Sequence, residues 1–270
     1  MQRLLMVVLA AALAAVLPAQ NSVVIPAGMA TTEGNSSNAF PWGRGGTGLR
    51  HQCVYDSSHF LTQGVNFPIQ ITGLRWRPNT GVALTASSYT AGCTVKLSTC
   101  PLDQASVSTN LASNQGADLT TVYSGVVSWA AQASQTGPTP FGIVIPLQTP
   151  FVYDPNNGDL NIECDLPVQT FSGAGPQLDV QTTAPLASRV YISTGYPGTG
   201  LSFVQINPGI DLGFLGAPGC AQYLTPDVTQ VFFAAGTTSS VPFAIPNFAS
   251  YAGLRLLAQS AAFTPGFNAL

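Results

Sequence analysis

The sequence predicts an all-β protein: an antiparallel β-sandwich, jelly-roll-like, followed by a small C-terminal β segment. Three observations predict it. Two stretches, 93–99 and 159–166, alternate apolar and polar side chains without a break. Gly, Pro, Asn and Ser cluster at short intervals between apolar runs. Beyond the first twenty residues, no segment carries a convincing helical period.

The chain opens as a secretory leader. Arg3 supplies a short positive region, and Leu4 to Leu17 is an uninterrupted apolar run, too short to span a bilayer. Pro18-Ala19-Gln20 breaks that run, which places cleavage after Ala19, although Leu17 is larger than the usual residue three positions before a cut. An N-terminal membrane anchor is the competing reading. No later segment has about 18 apolar residues in a row, so no membrane span is expected after leader removal. The organisation predicted is therefore a leader at 1–19, a sandwich domain at 20–215, and a C-terminal β module at 216–270. Only three apolar stretches follow Gly219, at 230–235, 240–245 and 254–259. The turn at Pro265-Gly-Phe-Asn268 leads into no strand before Leu270, which predicts a truncated C-terminus.

Strands are expected at 21–25, 49–55, 69–76, 93–99, 121–129, 141–147, 159–166, 188–193 and 210–215. In the strand at 93–99, Val95 and Leu97 share one face. In that at 159–166, Leu160, Ile162, Cys164 and Leu166 do so. One apolar face per strand predicts a sheet packed on one side and solvated on the other. Turns are expected at 77–81, 113–117, 134–140, 154–158 and 195–200, and one short helix near 103–112.

Only 7 % of residues are charged, against about 25 % in an average soluble protein. Removing the leader with Arg3 leaves seven basic against 11 acidic residues, a formal charge of −4. Lys96 is the single lysine. With no basic patch to neutralise phosphates, nucleic-acid binding is excluded. The surface must instead be covered by hydroxyls, amides and glycine. At 46 % hydrophobic residues, the chain has ample material for a core, which argues against disorder.

Five cysteines, Cys53, Cys93, Cys100, Cys164 and Cys220, in an oxidising compartment predict disulfides with at least one thiol left over. Spacing leaves the connectivity open. It disfavours Cys93 with Cys100, since the strand between them holds them about 23 Å apart against a bridging limit of about 7 Å.

Arg50-His-Gln-Cys-Val-Tyr-Asp-Ser-Ser-His-Phe60, followed by Ile69-Gln-Ile-Thr-Gly-Leu-Arg-Trp-Arg77, forms one motif. Phe151-Val-Tyr-Asp-Pro-Asn-Asn-Gly-Asp-Leu160 forms a second. Both resemble motifs of a largely uncharacterised group of secreted bacterial β-sandwich proteins, some of which carry C-terminal surface-sorting signals. The segment from Gly219-Cys220 to Leu270 is similar to a small C-terminal module in such proteins. The resemblance implies an extracellular or cell-surface sandwich and brings no catalytic residues. Read from the residues themselves, Asp154-Pro-Asn-Asn-Gly-Asp159 is a turn launching the next strand. Arg75 or Arg77 can pair with a carboxylate such as Asp56, with Trp76 packing inward.

Both histidines, a thiol and a carboxylate fall in the nine-residue window His51-x-Cys53-x-x-Asp56-x-x-His59. On a strand, His51 and Cys53 share a face, and a turn at Asp56 could fold His59 back, offering a zinc or copper site. The plainer alternative is hydrogen-bonded imidazoles in a polar strand. Asp154, Asn156 and Asp159 offer oxygens for calcium, against the alternative of a simple hairpin turn. For carbohydrate, Trp42 and Tyr196 sit in Gly- and Pro-rich surroundings that predict exposed aromatic faces. Glu33 and Glu163 are the two glutamates. Glu163 and Asp165 share a strand face, the one arrangement compatible with a polysaccharide hydrolase. No nucleophile elbow, zincin helix, P-loop or dinucleotide fingerprint is present. The sequence therefore favours a non-catalytic extracellular or cell-surface protein with a structural, adhesive or carbohydrate-binding role. Its partners would be extracellular polysaccharide or other cell-envelope components.

Overall fold

The computed structural model describes residues 22–44, 48–168, 170, 175–183, 186–193, 196–202, 205–206 and 208–213. The leader and the C-terminal segment 216–270 lie outside the described residues. Along the chain run β1 (Ser22–Val24), β2 (Ser36–Asn38), β3 (Leu49–Tyr55), helix α1 (Ser58–Leu61), β4 (Ile69–Trp76), β5 (Ser87–Ser88), β6 (Cys93–Cys100), β7 (Thr120–Gly125) and β8 (Ser128–Trp129). They are followed by β9 (Ile143–Tyr153), β10 (Asp159–Leu166), β11 (Leu178–Gln181), β12 (Ala187–Ser193), β13 (Tyr196–Ser202), β14 (Gln205–Ile206) and β15 (Gly209–Gly213).

The fold is all-β and antiparallel. A large sheet runs β13-β12-β3-β10-β6-β7, and a second runs β1-β15-β4-β9. Two small sheets, β14-β11-β2 and β5-β8, complete it. The two main sheets share one apolar core. Leu49, Cys53 and Tyr55 of β3 and Leu160, Ile162 and Cys164 of β10 join Ile69, Ile71 and Trp76 of β4, Ile143 and Ile145 of β9, and Ile210 of β15. Period-two alternation generates this: each second side chain of β10 enters the core, as the pattern predicts.

The other face of β10 departs from the expected solvated surface. Asp159, Asn161 and Glu163 are all buried there. Residues 101–118 fold over that face, in place of the short helix predicted near 103–112. They form two 3-10 turns, Gln104–Ser106 and Leu111–Asn114, capped by the side chains of Asp103 and Asn110. Such side chains cap the start of a single turn as readily as that of a longer helix. Leu111 and Val107 pack on Val54 and Val190, forming a second, smaller apolar cluster on the outer side of the sheet. The central strands are thus covered on both faces.

Several edges also differ. The strand expected at 121–129 divides into β7 and β8, and that expected at 141–147 continues to Tyr153 through a bulge opposite Thr72. Glycine-rich 195–200, expected as a turn, holds most of β13, which pairs with β12. Of the two arginines, Arg75 pairs with Asp211 at 2.8 Å and Arg77 with Asp179 at 2.6 Å, not with Asp56. The Arg77–Asp179 pair is buried, and Arg77 also donates to Thr32 O at 2.7 Å, tying β4, β11 and the N-terminal segment together. Trp76 packs inward as expected.

Candidate functional site

The outer face of the large sheet gathers the chemistry. In the pairing of β3 with β10 and of β10 with β6, Gln52, Glu163 and Lys96 stand side by side in one row. Val54, Asn161 and Ser98 form the next row. Glu163 is fully buried. It accepts from Gln52 Nε2 at 2.7 Å, Gln115 Nε2 at 2.7 Å and Arg50 Nε at 3.0 Å, and lies 3.4 Å from Lys96 Nζ. Asn114 extends the network, donating to Gln52 Oε1 at 3.0 Å. Burial pushes the Glu163 carboxyl up, but the hydrogen bonds from Gln52, Gln115 and Arg50 outweigh it and hold the group below the usual carboxylate range. A carboxylate so enclosed is satisfied internally. It neither lines a cleft, as a hydrolase requires, nor rests on an open polar strand.

One row further along the same face lies an acidic group. Asp56 follows β3, Asp159 opens β10, and Asp103 caps the first 3-10 turn after β6. One carboxylate oxygen from each lies within 4.8 Å of the others. The register brings them together, because Leu160 pairs with Tyr55 and Asp159 with Cys100. Asp159 is buried, Asp56 half-buried and Asp103 exposed. Asp159 accepts from Ser57 N at 2.9 Å and Gln104 N at 2.7 Å, while Asp56 accepts from Ser58 N at 2.8 Å and Asp103 from Ala105 N at 2.8 Å. Burial, and then the charges of Asp56 and Asp103, raise the Asp159 carboxyl against the lowering effect of the two backbone donors. A cavity of about 240 Å³ opens beside it, lined by Cys100, Asp103, Asn157, Gly158 and Asp159 among others. Carboxylates this close can hold a hard cation such as calcium through their remaining lone pairs.

The predicted calcium set is only partly reflected here. Asp154 closes its own turn, accepting from Asn156 N at 3.0 Å and Asn156 Nδ2 at 2.8 Å. Asn156 Nδ2 also donates to Asn66 O at 2.9 Å. Asp159 faces the other way, onto Ser57 and Gln104. The group that does form takes Asp56 from the histidine window and Asp159 from the turn. It adds Asp103, whose only sequence signal was its place at the start of the expected helix.

The His51–Cys53–His59 set does not assemble. His51 and Cys53 point from β3 into the core, as the alternation requires. Four residues of strand, about 13 Å, separate His51 from the end of β3. His59 lies beyond that end on α1, with Nε2 3.1 Å from Leu186 O. His51 is buried against Phe40, ring centroids 5.9 Å apart. Neither of its ring nitrogens has a hydrogen-bond partner among the described residues. Burial, with the nearby Arg189 guanidinium, holds its pKa well below that of a free imidazole.

Trp42 is not an exposed platform. It is fully buried, edge-on to Trp76 at 5.2 Å, and its carbonyl accepts from the Tyr89 hydroxyl. Its indole belongs to the apolar core. The Tyr196 backbone opens β13, and its side chain lies outside the described part of the structure. Among the described residues no aromatic side chain is exposed. Cys53, Cys93, Cys100 and Cys164 are buried and form no disulfide among the described residues, in place of the expected bridges, and Cys220 lies outside the described residues. Cys53, Cys93 and Cys164 share the inner face at staggered rather than opposed positions, and Cys100 points to the outer face. Burial pushes the Cys93 and Cys100 thiols up to about 11.

No family model, no curated protein and no solved structure matches this chain.

Proposed function

We propose that this chain is a non-catalytic, extracellular or cell-surface β-sandwich with a structural or adhesive role. The supporting observation is that Glu163, one of the two acids most compatible with hydrolysis, is buried and enclosed by Gln52, Gln115, Arg50 and Lys96. The leader-like N-terminus and the resemblance to secreted bacterial sandwiches support the location. Partners would be polysaccharide or other envelope components, engaged through surface hydroxyls and amides. Expression of the full precursor in a bacterial host, followed by fractionation and N-terminal sequencing, tests the location. A chain cut after Ala19 and recovered from the medium or cell surface is expected. An intact cytosolic precursor overturns it. Incubation with purified envelope polysaccharides tests the role: binding without release of reducing ends is expected, and their release restores the hydrolase alternative.

The group Asp56, Asp103 and Asp159 favours a second reading, a sandwich braced by a cation. Thermal unfolding with calcium and with chelator decides it, and coincident curves remove it.

A further inference from the structure

We propose that Asn157 is a site of spontaneous deamidation, an age-dependent change of charge beside the acidic cavity. The Gly158 amide nitrogen attacks the Asn157 side-chain carbonyl carbon and ammonia leaves. Water then opens the resulting succinimide to aspartate or isoaspartate. The reaction needs no reagent besides water.

Asn157–Gly158 is the single Asn–Gly step in the chain. It lies in the turn between β9 and β10, with Asn157 exposed. The Gly158 N–H, the attacking group, donates no hydrogen bond to any described residue. The Asn157 amide is held only by a long contact, 3.4 Å to Asp154 Oδ2, at the weak limit of hydrogen bonding. The fold also fixes the reactive dipeptide. Gly158 has φ of 142°, and a Cβ there would meet Cys100 O at 3.0 Å and Thr99 Cγ2 at 3.2 Å. Glycine is therefore required after Asn157, and glycine leaves the attack least hindered. Asn156 provides the contrast. Its amide donates to Asp154 Oδ1 at 2.8 Å and Asn66 O at 2.9 Å, and the residue after it carries a side chain.

The new carboxylate would stand at the cavity that Asn157 lines with Asp103 and Asp159. The isoaspartate form would also lengthen the backbone next to Gly158, whose carbonyl accepts from Tyr153 Oη at 2.8 Å.

Timed incubation of the purified chain in mildly alkaline buffer, with peptide mapping by mass spectrometry, tests this. The mass gain of exchanging NH2 for OH is expected at Asn157, several-fold faster than at Asn156, and isoaspartate should label with an isoaspartyl methyltransferase. Isoelectric focusing should show a single anodic step that Asn157→Gln removes. The proposal is overturned if Asn157 stays intact while a synthetic peptide spanning 153–160 converts under the same conditions. It is also overturned if the anodic step persists in Asn157→Gln.

Discussion

The side-chain amide of Gln148 pairs with the backbone of Ser124 as a neighbouring strand would. Its Oε1 accepts from Ser124 N at 3.0 Å and its Nε2 donates to Ser124 O at 3.1 Å. Ser124 lies in β7, the outer strand of the large sheet, and Gln148 sits in the bulge of β9, on the second sheet. An edge strand offers unpaired amides to other chains. Here one side chain occupies those of Ser124. Gln148→Ala is expected to cost about 1 kcal/mol and to raise self-association. Urea denaturation with light scattering at rising concentration would check both effects.

Removing the enclosed Glu163 is expected to be strongly destabilising. Glu163→Ala leaves Gln115 Nε2 and Arg50 Nε without this acceptor, while Gln52 Nε2 keeps Leu111 O, and should cost on the order of 3 kcal/mol. Its carboxyl titrates lower in the folded chain than in the unfolded one. Its contribution is therefore full above the unfolded value, about 4.3, and is lost as pH falls through the folded value. Glu163→Gln should flatten stability against pH in that acidic window, as measured by denaturant titration at several pH values.

His51 acts with the same sign at higher pH. The folded chain favours the neutral imidazole, while the unfolded chain binds a proton below about pH 6.5. Stability should be undiminished above that value and fall below it, with a slope approaching 1.4 kcal/mol per pH unit. Replacing His51 by Leu, which titrates nowhere, should remove this slope. An unchanged pH profile in His51→Leu would show that the imidazole does not contribute.

Burial makes the four described thiols poor nucleophiles. A thiol reagent should therefore leave Cys53, Cys93, Cys100 and Cys164 unlabelled in the folded protein and label them after denaturation. Mass spectrometry of the digested product would locate the label. Rapid native labelling at Cys164 would contradict its placement between β3 and β6.

Sheet strands with a strict period of two were legible from sequence. β3, β4 and β10 occupy the residues expected of them, because each carries one face of large apolar side chains. Strands that depend on a partner were not. β2 (Ser-Ser-Asn) has no apolar face of its own, and β13 is rich in glycine, so neighbours rather than propensity define both. The burial of Trp42 and Glu163 was hidden for a related reason. Each is covered by a segment distant in sequence, and local composition reports on exposure only when such cover is lacking. The acidic group was half legible. Asp56 and Asp159 were singled out separately, and only the register of β3 on β10 joins them.

The pairing of β1 with β15 has a bearing on how the molecule comes to be. Ser22 lies opposite Asp211, and Val24 opposite Gly209. A chain delivered amino end first, from a ribosome or a translocation pore, keeps β1 without its partner until residue 213 has emerged. Among the described strands β15 is the last to emerge, and such distant pairing slows folding. Until then, one side of the apolar core stays open to whatever chaperone or second molecule meets it first.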